Sequence, residues 1–304
     1  MRSARSWAGE LLVAAGFACA LTSLAAPAGA RIESERIFFI GRRPAEGRQI
    51  FSVRPDGTRL EQWTHSARDK RRPAVSAAAG RLVYSTNRGE LWSLVLATRA
   101  ETLLETAEPG VMWDCPAWSP DGASLVAARQ VTVPKDDSQL CLLLPPPSRI
   151  PWFQMPGMEF QPAWSPDASR IAYARFSERR GGIVEEALWS VDVRTGQTSQ
   201  LLEDGADNHH PLWLDSDSLL YVSNSAGSPS LWRLDLPGGK PVQLPCPGPV
   251  LEPALSPDAE RLAYVLLEGG RCRLTVQKVT ESTARTLDLP LEECREPAWC
   301  GPMP

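Results

Sequence analysis

Histidine is nearly absent: the 304 residues hold three, His65, His209 and His210. Their spacing supports neither a histidine-rich metal centre nor a Ser-His-Asp arrangement. No Cys-x-x-Cys, His-Glu-x-x-His, phosphate loop, dinucleotide fingerprint or Gly-x-Ser-x-Gly elbow occurs. The signatures of the common motif-bearing enzymes are therefore missing. A surplus of basic charge is missing too, because 32 Lys+Arg face 36 Asp+Glu for a net of −4. Sequence-independent nucleic-acid binding needs concentrated Lys and Arg, so no nucleic-acid partner is expected. The one basic cluster, Arg68 to Arg72 (RDKRR), is too short to change that. Beyond the N-terminus no run is long and apolar enough to span a bilayer. No segment has a helical period.

Proline and tryptophan are abundant instead, at 28 and 11. Proline punctuates a chain and tryptophan is large core material, a combination that points to short, repeated, well-packed units.

Residues 1–30 read as an address rather than as fold. Arg2 and Arg5 precede an almost uncharged run from Leu11 to Ala26, and Ala28-Gly29-Ala30 is a small-x-small cleavage site. This is the pattern of a secretory signal peptide, cut before Arg31. The alternative, an uncleaved anchor, has only about 16 uninterrupted apolar residues for a span of roughly 20. A periplasmic or secreted protein of residues 31–304 is expected, not membrane-spanning once cleaved, and monomeric. It keeps Cys115, Cys141, Cys246, Cys272, Cys294 and Cys300, an even number that permits disulfides in an oxidising compartment.

The main signal is a repeat. Pro116-Ala117-Trp118-Ser119-Pro120-Asp121-Gly122 returns as Pro162-Ala163-Trp164-Ser165-Pro166-Asp167-Ala168 and as Pro253-Ala254-Leu255-Ser256-Pro257-Asp258-Ala259. Weaker copies start at Pro73, Pro211 and Pro297, so the leading prolines recur every 42 to 49 residues. The three full copies continue with a Ser-Pro-Asp turn, and the repeats go on with a second strand such as Arg170-Ile171-Ala172-Tyr173, a third such as Leu188-Trp189-Ser190-Val191 and a short fourth. A β-rich period near 45 is that of a four-stranded propeller blade. Residues 36–64 supply strands two to four of one blade, and Glu296 to Trp299 supply a first strand without the others. Joining them gives an all-β, six-bladed β-propeller with four antiparallel strands per blade. Its ring is closed by three N-terminal strands and one C-terminal strand, which removes two exposed sheet edges.

Pro-Ala-Trp-Ser-Pro-Asp-Gly, then an Ala-Tyr strand, then Leu-Trp-x-x-Asp resembles the TolB-type propeller repeat over roughly residues 36–300. The resemblance speaks for fold more than function. It lacks the α/β domain that precedes the propeller in TolB, so that domain's role does not carry over. The TolB propeller binds the peptidoglycan-associated lipoprotein, so the resemblance implies a partner-binding face. Similar propellers also precede serine-peptidase domains, for which no room is found.

Within such a ring the first strand is innermost, and the residue before each leading proline should line the channel mouth. These are Arg72, Cys115, Gln161, His210, Glu252 and Glu296. His210, Glu252 and Glu296 fall on neighbouring blades, where a His and two carboxylates can grip a basic partner, hold a metal, or form a solvated rim without ligand. Phe160, His209 and Leu251, one residue further out, add contact area. Variable loops on that face, Thr132–Ser138 and Ser177–Glu186, are where binding usually resides. The Asp121, Asp167 and Asp258 family reads as turn chemistry, and Trp118, Trp164, Trp213 and Trp299 read as core. Cys272–Cys294 is the candidate disulfide. Pro145-Pro146-Pro147 reads as a turn between the third and fourth strands of its blade.

The leading expectation is a non-enzymatic exported scaffold without cofactor, whose channel-mouth face meets an envelope protein. A second is a module binding a small molecule, a sugar or a peptidoglycan fragment, with Trp152 or Phe160 stacking on the sugar. A third is a lyase or hydrolase with His210 as base and Arg72 as charge stabiliser.

Overall fold

Period-two alternation of apolar and polar side chains, interrupted by Gly, Pro and Asp turns, leaves the backbone little alternative to short antiparallel strands. The computed structural model describes residues 35–131, 137–143, 158–178 and 184–303, and the described residues contain strands and turns but no helix. The expected signal peptide, Pro145-Pro146-Pro147 and Trp152 lie outside them.

The chain opens with β1 (Arg36–Arg42), β2 (Gln49–Val53) and β3 (Glu61–Gln62). A four-stranded sheet follows, β4 (Lys70–Ser76), β5 (Arg81–Thr86), β6 (Leu91–Val95) and β7 (Glu101–Glu105). Next is a seven-stranded sheet of β8 (Val111–Trp118), β9 (Leu125–Val131), β10 (Asp137–Leu143), β11 (Met158–Trp164), β12 (Arg170–Glu178), β13 (Val184–Asp192) and β14 (Thr198–Leu202). It is all antiparallel except at one point, where Ser138 of β10 pairs in parallel with Met158 of β11. Two more four-stranded sheets are β15 (Asn208–Trp213), β16 (Ser218–Ser223), β17 (Ser230–Asp235), β18 (Val242–Gln243), and β19 (Val250–Leu255), β20 (Arg261–Glu268), β21 (Arg271–Lys278), β22 (Ala284–Thr286). The last strand, β23 (Glu293–Cys300), returns to β1 and gives the order β23-β1-β2-β3. The strands β4, β8, β11, β15, β19 and β23 touch one another in a cycle. The arrangement is all-β and propeller-like.

Apolar faces of adjacent sheets, and of the two halves of the seven-stranded sheet, bury each other. Phe38, Ile40 and Ile50 of the first sheet meet Leu82, Tyr84 and Leu94 of the second. Cys115, Val126, Ala128 and Leu140 meet Ile171, Tyr173 and Val191. The only four tyrosines of the chain, Tyr84, Tyr173, Tyr221 and Tyr264, fill one repeat position and are buried. The tryptophans behave as core: the Trp164 indole N–H donates to the Ala117 carbonyl at 3.1 Å and the Trp213 indole N–H to the Ala163 carbonyl at 3.0 Å. Each bond ties one inner strand to the one before it. Arg170 lies over Trp213 and Arg261 over Trp299, 4.7 and 5.1 Å from the ring centroids.

The Ser-Pro-Asp turns are internally satisfied. The hydroxyls of Ser119, Ser165 and Ser256 donate to the carboxylates of Asp121, Asp167 and Asp258, which also accept the amides of Ala123, Ser169 and Glu260. These bonds hold the three acids below their usual pKa, against the opposing effect of burial at Asp258. Gly122 is needed for space as well as for its φ of +70°, because a Cβ there would lie 2.6 Å from the Ala79 amide nitrogen.

Two expectations need correction. In the segment Ser177–Glu186 the described residues are strand, since β12 and β13 stay paired out to Glu178 and Val184, and 179–183 lie outside the described residues. Within Thr132–Ser138, Asp137 and Ser138 belong to β10, and the rest lies outside the described residues. The basic cluster Arg68 to Arg72 is partly built into the fold. Lys70 starts β4 fully buried, and its ammonium donates to the Ser66 carbonyl, the Ser66 hydroxyl and the Arg68 carbonyl. It pins the preceding crossover, and burial lowers its pKa to about 8.

Candidate functional site

Each inner strand carries a bulge at its X-Pro step, seen as a register shift at Arg71/Ala74, Asp114/Ala117, Phe160/Ala163, His209/Leu212 and Leu251/Ala254, with the sixth in the β1–β23 pair. At all six bulges the residue before proline is left-handed: Arg72, Cys115, Gln161, His210, Glu252 and Glu296 have φ between 49° and 53°. None is glycine, so each conformation carries a strain of about 1–3 kcal/mol that its surroundings must offset. The bulge turns these residues out of the ladder and towards the axis. All six line one cavity of about 730 Å³. Its walls below them are Pro73, Pro116, Pro162, Pro211, Pro253 and Pro297, and its far end reaches Pro120, Pro166 and Pro257 of the turns. The structure thus brings together every residue expected at the channel mouth.

Hydrogen bonds within the ring supply the offset. The Glu252 carboxylate accepts the Glu296 amide at 2.8 Å, and the Glu296 carboxylate accepts the Arg72 amide at 2.6 Å. The Gln161 side-chain oxygen accepts the His210 amide at 2.9 Å, and the Cys115 sulfur accepts the Gln161 amide. Each side chain caps the amide of the next ring residue. The pattern breaks at Arg72, which has no acceptor, and at His210, whose Nε2 lies 3.3 Å from Arg72 Nη1. Arg72 on β4 and His210 on β15 stand three inner strands apart in either direction, so this contact crosses the channel.

The charges are paired. Arg72 Nε lies 3.4 Å from Glu296, Arg295 donates to Glu252 at 2.6 Å, and Arg71 reaches Asp114 at 3.5 Å. Burial opposes the Arg72 charge, but the acidic groups around it outweigh burial and raise its pKa. Burial raises Glu296 despite Arg72. Burial, then His209 and Arg72, hold His210 well below the ordinary histidine value, and burial lowers His209 as well. The two rings meet through their Nδ1 atoms at 2.7 Å. Cys115 is pushed up to about 12 by burial and by Asp114, so it is a thiol and not a nucleophile in waiting.

His210, Glu252 and Glu296 do not converge as a ligand set, because both carboxylates are engaged by amides and arginines. Among the described residues no three His, Cys, Asp or Glu side chains are arranged to hold a metal ion. The Cys272–Cys294 disulfide is not formed: both are free thiols, although they line the same small cavity. Cys294 lies in β23 rather than in a crossover, packs with Ile37, Phe39 and Leu274, and accepts the Leu274 amide.

Sequence reasoning missed the partners of the ring. Arg71, Asp114 and Arg295 sit one residue before ring positions and form ion pairs between neighbouring inner strands. The opposite charges of Arg71 and Asp114 at one position of successive repeats were the available signal.

The family profile for the TolB beta propeller domain matches residues 116–288. Among solved structures, TolB from Acinetobacter baumannii is similar at 20% identity and a TM-score of 0.73, over 88% of this chain and 66% of that one. A putative TolB from Agrobacterium tumefaciens is similar at 17% identity and a TM-score of 0.65, over 84% and 88%. The oligogalacturonate lyase of Vibrio parahaemolyticus is similar at 12% identity and a TM-score of 0.58, over 82% and 78%. No curated protein matches. At these identities the structural likenesses speak for fold alone. The chain spans just under two thirds of the Acinetobacter protein.

Proposed function

Because the chain belongs to the TolB beta propeller domain family, we propose that it is an exported, six-bladed, non-enzymatic scaffold whose channel-mouth face binds another envelope protein. The seven-stranded sheet counts as two blades in this reading, β11 to β14 with four strands and β8 to β10 with three among the described residues. Residues 1–30 are removed as a signal peptide, and residues 31–304 act as a monomer in the periplasm or outside the cell without a cofactor. One observation carries the reading. The polar residues at the mouth are spent on holding one another in place, which builds a rigid rim. A rigid rim with half-exposed, ion-paired arginines outside it, Arg71 and Arg295, is suited to recognition.

The test is affinity capture from an envelope extract with face-selective variants. Arg71→Ala/Arg295→Ala should lose the captured protein, while Arg194→Ala/Lys240→Ala, on the turns at the opposite face, should retain it. Equal capture by both variants would contradict the reading.

A lyase or hydrolase reading is favoured by the meeting of Arg72 and His210, the two residues it requires. His210 Nε2, however, is directed at Arg72 rather than at open cavity. Turnover abolished by His210→Ala would establish that reading in place of the scaffold.

A further inference from the structure

The amide caps divide the mouth into two arcs. One runs Cys115, Gln161, His210 and the other Glu252, Glu296, Arg72. Each arc spans three inner strands. Of the ring side-chain contacts, only the one between Arg72 Nη1 and His210 Nε2 reaches across the channel from one arc to the other.

That contact fixes the protons. Arginine only donates, so His210 Nε2 must be the acceptor. A neutral His210 then carries its proton on Nδ1, which donates to His209 Nδ1 at 2.7 Å. A neutral His209 therefore carries its proton on Nε2. The pair has one proton between its Nδ1 atoms and a lone pair facing Arg72.

We infer that this pair is a proton-sensitive latch across the channel mouth, and that proton uptake from solvent by either imidazole releases Arg72 from His210 and so removes the one ring side-chain contact that crosses the channel. A proton on His210 Nε2 sets an imidazolium against a guanidinium. A proton on His209 Nδ1 forces the His210 proton from Nδ1 to Nε2, where it faces the donors of Arg72. Both routes end with two donors opposed.

The surrounding groups leave the latch dependent on the pair itself. From β4 the facing group is Arg72, and from β11 it is the neutral Gln161 amide. From β19 it is Glu252, already held by Arg295 and the Glu296 amide. Asp207 precedes β15 and favours charge on His209, and Glu186 on β13 lies near Asp207. Arg175 on β12 lies over Trp189. No aspartate, glutamate, lysine or arginine occurs in β16.

Cys115 is a built-in reporter, since it is buried in the ring and lines the channel. Residues 31–304 would be treated with 4,4′-dithiodipyridine, which forms mixed disulfides with thiols even in acid, at pH 4 to 8. Modification of Cys115 is read by peptide mass mapping relative to half-exposed Cys272, and histidine NMR follows tautomer and protonation. At neutral pH the spectra should show Nδ1–H on His210 and Nε2–H on His209. Relative Cys115 modification should rise about tenfold as the pair takes up its proton, the signature of a local opening. His210→Gln keeps an acceptor for Arg72 without titrating and should stay slow throughout. Arg72→Gln should be fast already at neutral pH. The latch is overturned if His210→Gln shows the wild-type rise, if modification stays flat while the pair protonates, or if neither histidine protonates before global acid unfolding.

Discussion

Truncation of Trp213 to alanine is expected to lower unfolding stability by about 3–5 kcal/mol, the usual cost of emptying a large buried aromatic site. The indole is buried, its N–H holds the Ala163 carbonyl, and Arg170 stacks on its face. Trp213→Phe keeps most of the apolar area but strands that carbonyl, so about 1–3 kcal/mol should be lost. Urea denaturation of wild type and both variants separates the two contributions. Equal stability of all three would mean that the repeated tryptophans do not join the inner strands.

The second large effect is a change in pH dependence on Glu159→Gln. Glu159 in β11 is fully buried; one carboxylate oxygen accepts the Leu140 amide at 3.1 Å and the other has no hydrogen-bond partner. Burial pushes its pKa from 4.5 up to about 8, against the opposing pull of the Leu140 amide and Arg175. The folded state therefore binds the proton more tightly than the unfolded chain. Its contribution is fully present below pH 4.5 and is lost as pH rises through about 8. A shift of this size corresponds to an order of 5 kcal/mol between the two limits. Glutamine keeps an acceptor for Leu140 and cannot ionise. The variant should match wild type in acid and exceed it increasingly between pH 5 and 8, as read from denaturation midpoints. Parallel pH profiles would show that Glu159 does not bear this load.

Much of this fold was legible because its punctuation is regular. A leading proline, a Ser-Pro-Asp turn and a tyrosine strand recur in register, and each has a local physical reason that does not depend on distant contacts. The pairing of β23 with β1 followed from a blade missing its first strand and a first strand missing its blade. The six mouth residues were legible by position, since the proline marks the step and the inner strand must face the channel. Their chemistry was not. Glu252 and Glu296 look available in a sequence, and only the left-handed bulge shows that each carboxylate caps the amide of the next ring residue. Nothing local in the sequence reveals that three oxygens of the preceding crossover close over Lys70. Cys294 reads as a disulfide partner because sequence cannot show that its sulfur faces the apolar contact between sheets.

These residues also separate two kinds of charge at the mouth. The ring carboxylates are fixed by amides and arginines, so altering them disturbs the rim itself. Arg71, which pairs with Asp114 outside the ring, can be removed with less effect on the rim and is the better probe of recognition. Partly exposed ion pairs of this kind contribute only about 0–1 kcal/mol to stability.

The most direct measurement is photocrosslinking in the native host, with a benzophenone amino acid placed at Arg71 or Met112 beside the mouth and at Arg194 or Lys240 on the opposite face. The exported scaffold reading predicts one discrete envelope-protein adduct from the mouth positions and none from the opposite face. Adducts confined to the opposite face, or none from either, would contradict it.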